Sequence, residues 1–233
     1  DVIATATSAV RSAKNGSDFV SAAKEQAGIS IKVISGDEEA DLIYQGVKLS
    51  GAINDKTLIM DIGGGSVEFI LCDAEKLIWK KSYNIGAARL MQQFFKTDPI
   101  ADADKNAILY HINHEMADLF EICAKFRPQA LIGSAGAFET FAELIERKNH
   151  RQIDLASIKH YKFNFDDYIS ISLELLNASH QQRAAMPGMI PLRIDMVVMA
   201  ALITNYVLGR LQINNLMLST YDLKMGVLSG YGA

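Results

Sequence analysis

At 233 residues with 49% hydrophobic side chains, the chain can bury a substantial core, as one large domain or two small ones. Its formal net charge of −4, from 23 Lys plus Arg against 27 Asp plus Glu, argues against the broad basic surface that duplex nucleic acid requires, so a polyanion must be held by local groups. The longest apolar stretch, around residues 196–211, is broken by Thr204, Asn205, Gly209 and Arg210 and falls short of the ~20 apolar residues of a membrane span.

The chain opens on Asp1 at what reads as the end of a strand, Val2-Ile3-Ala4, without an initiator Met or leader, so the natural N-terminus is expected to precede it. Phe19, Val20, Ala23 and Ala27 then recur at helical spacing, with Ser17 as a candidate N-cap and Gly28 as a stop. Residues 29–34 alternate as a strand. Ser35-Gly36 leads into Asp37-Glu38-Glu39, three acids in a predicted first helical turn, where the macrodipole favours negative charge and capping alone is a sufficient explanation. Leu42, Ile43, Gly46 and Val47 continue one face of that helix.

Three strands are expected next, over 57–62, 67–72 and 77–83. Between the first two lies Asp61-Ile62-Gly63-Gly64-Gly65-Ser66-Val67-Glu68, in which consecutive glycines permit the positive φ angles of a tight hairpin. A two-residue turn at Gly64-Gly65 sets Asp61 against Glu68. Like charges directly opposite each other are unfavourable, so this pairing makes sense with a proton or a divalent cation between them, magnesium being the obvious ion. The glycines would leave N–H groups free to converge on phosphate oxygens beside the Ser66 hydroxyl. On spacing alone, an ordinary Gly-rich hairpin remains the competing reading.

Beyond this turn, helices are predicted over about 86–95 and, as one long element, 102–126, followed by a strand at 130–132 and a strand-to-helix turn at Gly133-Ser134-Ala135-Gly136 that could present N–H groups to an anion. His111 and His114 lie three apart on the polar face of the long helix but lack a third ligand. Residues 148–165 read as polar and irregular. Helices near 166–177, 179–186 and 191–211, a strand at 215–219 and a helical tail complete an alternating α/β pattern. Cys72 and Cys123 fall inside a predicted strand and helix, which suits buried thiols in a reducing cytosol.

The segments Ala6-Thr7-Ser8-Ala9-Val10-Arg11 with Asn15, Ile34-Ser35-Gly36-Asp37-Glu38-Glu39-Ala40, and Asp61 through Glu68 resemble, in order and spacing, the exopolyphosphatase and guanosine pentaphosphate phosphohydrolase family. Asn84-Ile85-Gly86-Ala87-Ala88-Arg89-Leu90, the Gly133 to Thr140 turn, and Pro187-Gly188 with Arg193 and Asp195 extend the likeness over nearly the whole chain. The resemblance implies two lobes of ribonuclease-H-like topology, as in the actin and acetate-kinase superfamily, with the active site in the cleft between them. Residues 1–54 would be the C-terminal part of an N-terminally incomplete first lobe, residues 55–220 the second lobe, and residues 221–233 a tail returning to the first.

Carried over by motif, Glu39 resembles the family's general base, and Asp61 and Glu68 its metal carboxylates. Arg11 and the amides of Gly63, Gly64, Gly65 and Ser66 are the candidates for gripping phosphate, a guanidinium being able to take two oxygens at once; an exposed helix-start arginine is the alternative for Arg11. Implied with this are a Mg2+ or other divalent ion, a polyphosphate or phosphorylated guanosine nucleotide as substrate, a cytoplasmic location and, as a family expectation, a homodimer. The expected activity is release of terminal phosphate by metal-assisted attack of water. The alternatives are a catalytically weak nucleotide- or polyphosphate-binding regulator and a phosphotransferase of the same superfamily. Leu223-Lys224-Met225-Gly226 departs from the family's Leu-Arg-Glu-Gly, keeping a charge but losing the fork, and Ala135 and Ala137 depart from its more Gly/Thr-rich turn.

Overall fold

The computed structural model describes residues 2–134 and 136–230, so Asp1, Ala135 and residues 231–233 of the expected returning tail lie outside the described residues. At the start of the chain, β1 (Ala4–Ala6) pairs in parallel with β2 (Ile31–Val33) through a crossover of α1 (Ser8–Ser12) and α2 (Gly16–Ala27). Gly28, at φ 69°, closes α2 in the left-handed conformation that its position as a stop predicts, whereas the N-cap is Asn15 and not Ser17. The Ser35 hydroxyl accepts the Glu38 N–H at 3.1 Å and starts α3 (Gly36–Ser50), which turns Ala40, Ile43 and Val47 inward.

The larger sheet has six strands in the order β5-β4-β3-β6-β8-β7. Its first three, β3 (Thr57–Ile62), β4 (Val67–Cys72) and β5 (Leu77–Tyr83), form an antiparallel meander, and β6 (Ala130–Ser134) and β8 (Leu216–Ser219) add in parallel beside β3. A meander continued by parallel strands on its first member is ribonuclease-H-like topology, and the chain has the two-lobed α/β fold. Strands β3 and β4 are apolar almost throughout because both faces are covered. One face packs under α4 (Ala87–Phe94), α5 (Asp102–Glu115), α6 (Ala117–Phe126), α7 (Gly136–Lys148), α8 (Phe165–Asn177) and α10 (Met196–Leu211), around Leu58, Met60, Phe69, Phe138 and Phe141. Ile59, Ile70 and Ile132, alternate residues of the same strands, meet Ala40, Ile43 and Val47 of α3 on the other face.

Further features differ from the sequence-based expectation. The helix expected over 102–126 is two elements, α5 and α6, parted at the buried Met116 (φ −102°, ψ 20°) without a Gly or Pro to mark the break. Within the region read as irregular, β7 (His160–Lys162) pairs antiparallel with β8; it is formed by a tertiary partner and not by local propensity.

After α9 (His180–Ala184), a short 3-10 turn at Pro191–Arg193, α10 and β8, the last helix α11 (Leu223–Ser229) packs across α3. The crossing is close because two glycines face it: a Cβ on Gly46 would lie 2.1 Å from the Asp222 carbonyl oxygen, and one on Gly226 1.8 Å from that of Leu42. Replacing Gly226 by Ala gains about 1 kcal/mol of helix propensity but forces a methyl into backbone, an overpacking cost near the ~3 kcal/mol upper range. Gly226→Ala is therefore expected to lose about 2 kcal/mol in equilibrium urea unfolding, and an unchanged midpoint would show that the two helices are not in this contact.

Candidate active site

The β3–β4 register puts Ile62 opposite Val67 and Asp61 opposite Glu68, with Gly63 N–H bonded to the Ser66 carbonyl at 3.0 Å around the turn. None of Gly63, Gly64 and Gly65 occupies the left-handed region, which corrects the expectation of positive φ. Glycine is required by close approach instead. A Cβ on Gly65 would lie 2.5 Å from Ser8 Oγ, and one on Gly86 within 2.5 Å of the Gly64 and Gly65 backbone.

The N-terminus of α4 takes up the carbonyls of this turn. Ala87 N–H bonds to Gly63 O at 2.9 Å, Arg89 N–H to Gly64 O at 3.1 Å, and both Gly86 N–H and Arg89 Nε–H to Gly65 O, at 3.3 and 3.1 Å. In a trans peptide the N–H points opposite to its C=O. With three carbonyls directed at α4, the N–H groups of Gly64, Gly65 and Ser66 are turned the other way, without partners among the described residues. Such a row of amides is an anion-binding concavity.

The two carboxylates are crowded. Burial first, then the charge of Glu68, pushes the Asp61 carboxyl from its ordinary 3.8 up to about 8. Burial and then the charge of Glu39 push Glu68 up to about 7, against the opposing pull of the Ser82 and Ser66 hydroxyls. Ser82 Oγ donates to Glu68 Oε1 at 2.6 Å. Glu68 is only 1% exposed, whereas Asp61 keeps partial access to solvent.

Glu39 comes from the first turn of α3 and is 7% exposed. Burial raises its pKa more than its partners lower it, the chief partner being Arg11, whose Nη1 lies 3.2 Å from Glu39 Oε2. The same Nη1 donates to the Ile34 carbonyl at 2.7 Å. Arg11 is thus neither exposed nor at a helix start: it is partly buried in the last turn of α1, it holds Glu39, and its Nη2 and Nε remain uncommitted among the described residues. Glu39, Asp61 and Glu68 are close enough that the Glu39 charge raises both of the others.

Four residues join the site that the sequence did not single out for it. Ser8 and Ser134 are 5% and 1% exposed, and neither hydroxyl has a hydrogen-bond partner among the described residues. Ser134 lies beside Asp61 across the β3–β6 pair, and its dipole favours the ionised carboxylate without completing a hydrogen bond. Ser82 could have been found by carrying the β4–β5 register one strand further, since it faces Glu68. Asp222 caps α11 through the Lys224 N–H at 2.9 Å, and its charge adds to the load on Asp61. Lys224 itself pairs with Asp222 at 3.1 Å, its side chain 83% exposed.

Next to the glycine turn, a cavity of about 210 Å³ is bounded by Ile62, Gly63, Gly136, Arg193 and Met196. Arg193 bonds to the Gly136 carbonyl and, at 2.8 Å, to Thr140 Oγ1, fixing the start of α7. A larger concavity of about 630 Å³ beside Arg127 and Arg210 lies before the N-terminal ends of β6 and β8, at the far end of the sheet from the carboxylates. His111 stacks against Phe94, and among the described residues no three His, Cys, Asp or Glu side chains form a metal-binding group.

The Asp61–Glu68 pair fits magnesium, a hard cation that commonly takes one or two carboxylates and completes its shell with water and substrate phosphate. The orphaned hydroxyls of Ser8 and Ser134 and the free amides supply the polar surroundings that such a phosphate requires.

The acids and the row of unbonded amides stand at the carboxyl end of β3, where open α/β sheets bind their ligands, and the topology is that of the two-lobed ribonuclease-H-like class. The chain belongs to the Ppx/GppA phosphatase family, whose model matches residues 1–231. The structure is similar to that of an exopolyphosphatase from Cytophaga hutchinsonii, at 36% identity and a TM-score of 0.95, over 99% of this chain and 74% of that one. A Ppx/GppA enzyme of Aquifex aeolicus, 23% identical, shares the fold at a TM-score of 0.82, over 98% of this chain and 75% of its own. Among curated proteins, a bifunctional 3-dehydroquinate synthase/phosphatase of Fusobacterium nucleatum is 28% identical over 98% of this chain and 34% of its own length. A guanosine-5'-triphosphate,3'-diphosphate pyrophosphatase of Photobacterium profundum is 33% identical over 60% of this chain and 28% of its own. The chain spans about a third of the length of the curated relatives it matches.

A carboxyl whose pKa is higher folded than unfolded favours the folded state while protonated. That contribution is complete below the unfolded value of 3.8 for Asp61 and is lost as pH rises toward about 8. Metal-free protein is therefore expected to lose thermal stability across this window. Asp61→Asn, which cannot ionise, should flatten the decline when Tm is followed against pH in chelator; a slope equal to that of the wild type would show that Asp61 is not protonated in the folded state.

Proposed function

We propose that the chain is the hydrolytic core of a phosphoanhydride hydrolase, releasing terminal phosphate from inorganic polyphosphate or guanosine pentaphosphate by metal-assisted attack of water. What supports this reading is that Glu39, from α3, lies near enough to Asp61 and Glu68, from the hairpin, for its charge to act on both, and that three unbonded amides belong to the same hairpin turn. Phosphoryl transfer asks mainly for positioning, charge neutralisation and a proton acceptor. In this reading Glu39 accepts the proton of the attacking water. Burial raises its affinity for a proton, while the Arg11 guanidinium opposes this by favouring the ionised form. The Gly64, Gly65 and Ser66 amides and the uncommitted nitrogens of Arg11 hold the phosphate oxygens.

Asp61 and Glu68 would hold Mg2+, which supplies charge neutralisation on the phosphoryl oxygens when bound. We assign residues 1–54 with the returning segment from 221 to one lobe and residues 55–220 to the other. The cytoplasm is the compartment proposed. Cys72 and Cys123 are free and buried, and burial pushes both thiols up to about 12, as suits structural thiols in a reducing environment. Among the described residues no helix is long and apolar enough to cross a membrane.

Phosphate release by the full-length protein from tripolyphosphate and from guanosine pentaphosphate tests the reading. Glu39→Gln is expected to cut kcat at least ~10²-fold on whichever substrate is used, and removal of divalent ions should abolish release. Wild-type turnover in Glu39→Gln would remove Glu39 from the role of base.

A further inference from the structure

Strand β5 touches both halves of the site. Its alternate residues Lys80 and Ser82 pair with Ile70 and Glu68 of β4, and so lie on the face of the sheet that α3 covers. Ser82 holds the Glu68 carboxylate and also abuts the start of α3, where a Cβ on Gly36 would come within 2.5 Å of its own Cβ. Two residues along, Lys80 Nζ donates to the Asp37 carbonyl at 2.9 Å and pairs with the Asp41 carboxylate.

Successive residues of an α-helix are about 100° apart. Ala40 faces the sheet, so Glu39 leaves α3 on one flank while Asp41, with Asp37 a turn before it, lies on the other. The apolar contacts of Ala40, Ile43 and Val47 are non-directional and resist separation of the helix from the sheet more than its roll about its own axis. Lys80 holds the helix from the flank opposite Glu39. For a carboxylate ~6 Å from the axis, a roll of about 10° is a displacement of about 1 Å, the scale of misplacement that can cost about 10²-fold in rate.

We propose that Lys80 is a positioning residue for Glu39, clamping the first turns of α3 to the strand that also holds Glu68 and thereby setting the distance between the base and the acidic pair. This rests on the reading of Glu39 as the base. As an ion pair with a half-exposed partner, Lys80–Asp41 contributes little to global stability, and its effect is on geometry.

The test uses the full-length protein and tripolyphosphate with Mg2+. Lys80→Met keeps the aliphatic stem and removes the ammonium. It is expected to lower kcat about 10- to 100-fold with KM nearly unchanged, and Lys80→Arg should recover most of the loss. In a Glu39→Gln background, Lys80→Met should cause no further fall, because a residue acting through the base has nothing left to position. An equal fractional loss in both backgrounds, or full activity of Lys80→Met beside an inactive Glu39→Gln, overturns the proposal and leaves the base assignment standing; full activity of Glu39→Gln overturns both. Amide hydrogen exchange gives a readout independent of turnover. In Lys80→Met, faster exchange confined to the first turns of α3 supports the clamp, and unchanged exchange there refutes it.

Discussion

The constraint on which the rest of this structure depends is the crowding of three carboxylates that would separate if they could. Asp61 and Glu68 cannot, because the β3–β4 ladder fixes their backbones opposite each other and apolar clusters cover both faces of these strands. Glu39 cannot, because it begins a helix whose next inward residues are locked against the same sheet. Repulsion that side-chain rotation would relieve on a surface is here held in place by two apolar interfaces. The neighbouring groups show how the repulsion is tolerated: Arg11 on Glu39, and Ser82 and Ser66 on Glu68, with Asp61 least compensated. Asp61 is also the member with partial access to solvent, where a cation would have to enter.

That arrangement makes α3 the element shared by both halves of the fold. Its Ala40, Ile43 and Val47 belong to one apolar cluster with Ile59, Ile70 and Ile132 of the six-stranded sheet, while Gly46 receives α11. The helix is therefore packed from two sides within a distance of two turns. An apolar interface of this kind defines which faces meet but not their rotation, and directional contacts are needed to complete the specification. The polar groups that supply them are concentrated at the N-terminal end of α3: the Ser35 cap, the Arg11 pair, and the Lys80 bonds to Asp37 and Asp41.

The sequence made the hairpin, the acidic start of α3 and the α/β order legible because each rests on local chemistry: apolar runs around glycines, a serine cap before acids, alternation of strand and helix patterns. It misassigned the reason for the glycines. Turn chemistry points to left-handed backbone, whereas Gly65 and Gly86 are small because Ser8 and the turn itself approach them from residues distant in sequence. The same limit explains the other differences. Strand β7 exists because β8 offers it an edge, Met116 interrupts a periodic stripe without any breaker residue, and Ser8, Ser134 and Asp222 reach the site only through tertiary pairing. Nothing local to Arg11 reveals that its side chain pairs with the carboxylate of Glu39, 28 residues further along the chain.

The packing of the glycine turn accounts for its chemical capacity better than its flexibility does. Three carbonyls are consumed by the α4 amides and Arg89, so the three opposing N–H groups are oriented before any anion arrives. A flexible loop would have to give up backbone freedom on binding, roughly 1–2 kcal/mol for each residue fixed. Here most of that ordering is already done by folding, so the donors stand oriented in advance. Residues that look permissive in the sequence thus act as rigid ones in the structure. Their lack of a side chain lets α1 and α4 close on the turn, and that closure holds the amides fixed between the strands that carry Asp61 and Glu68.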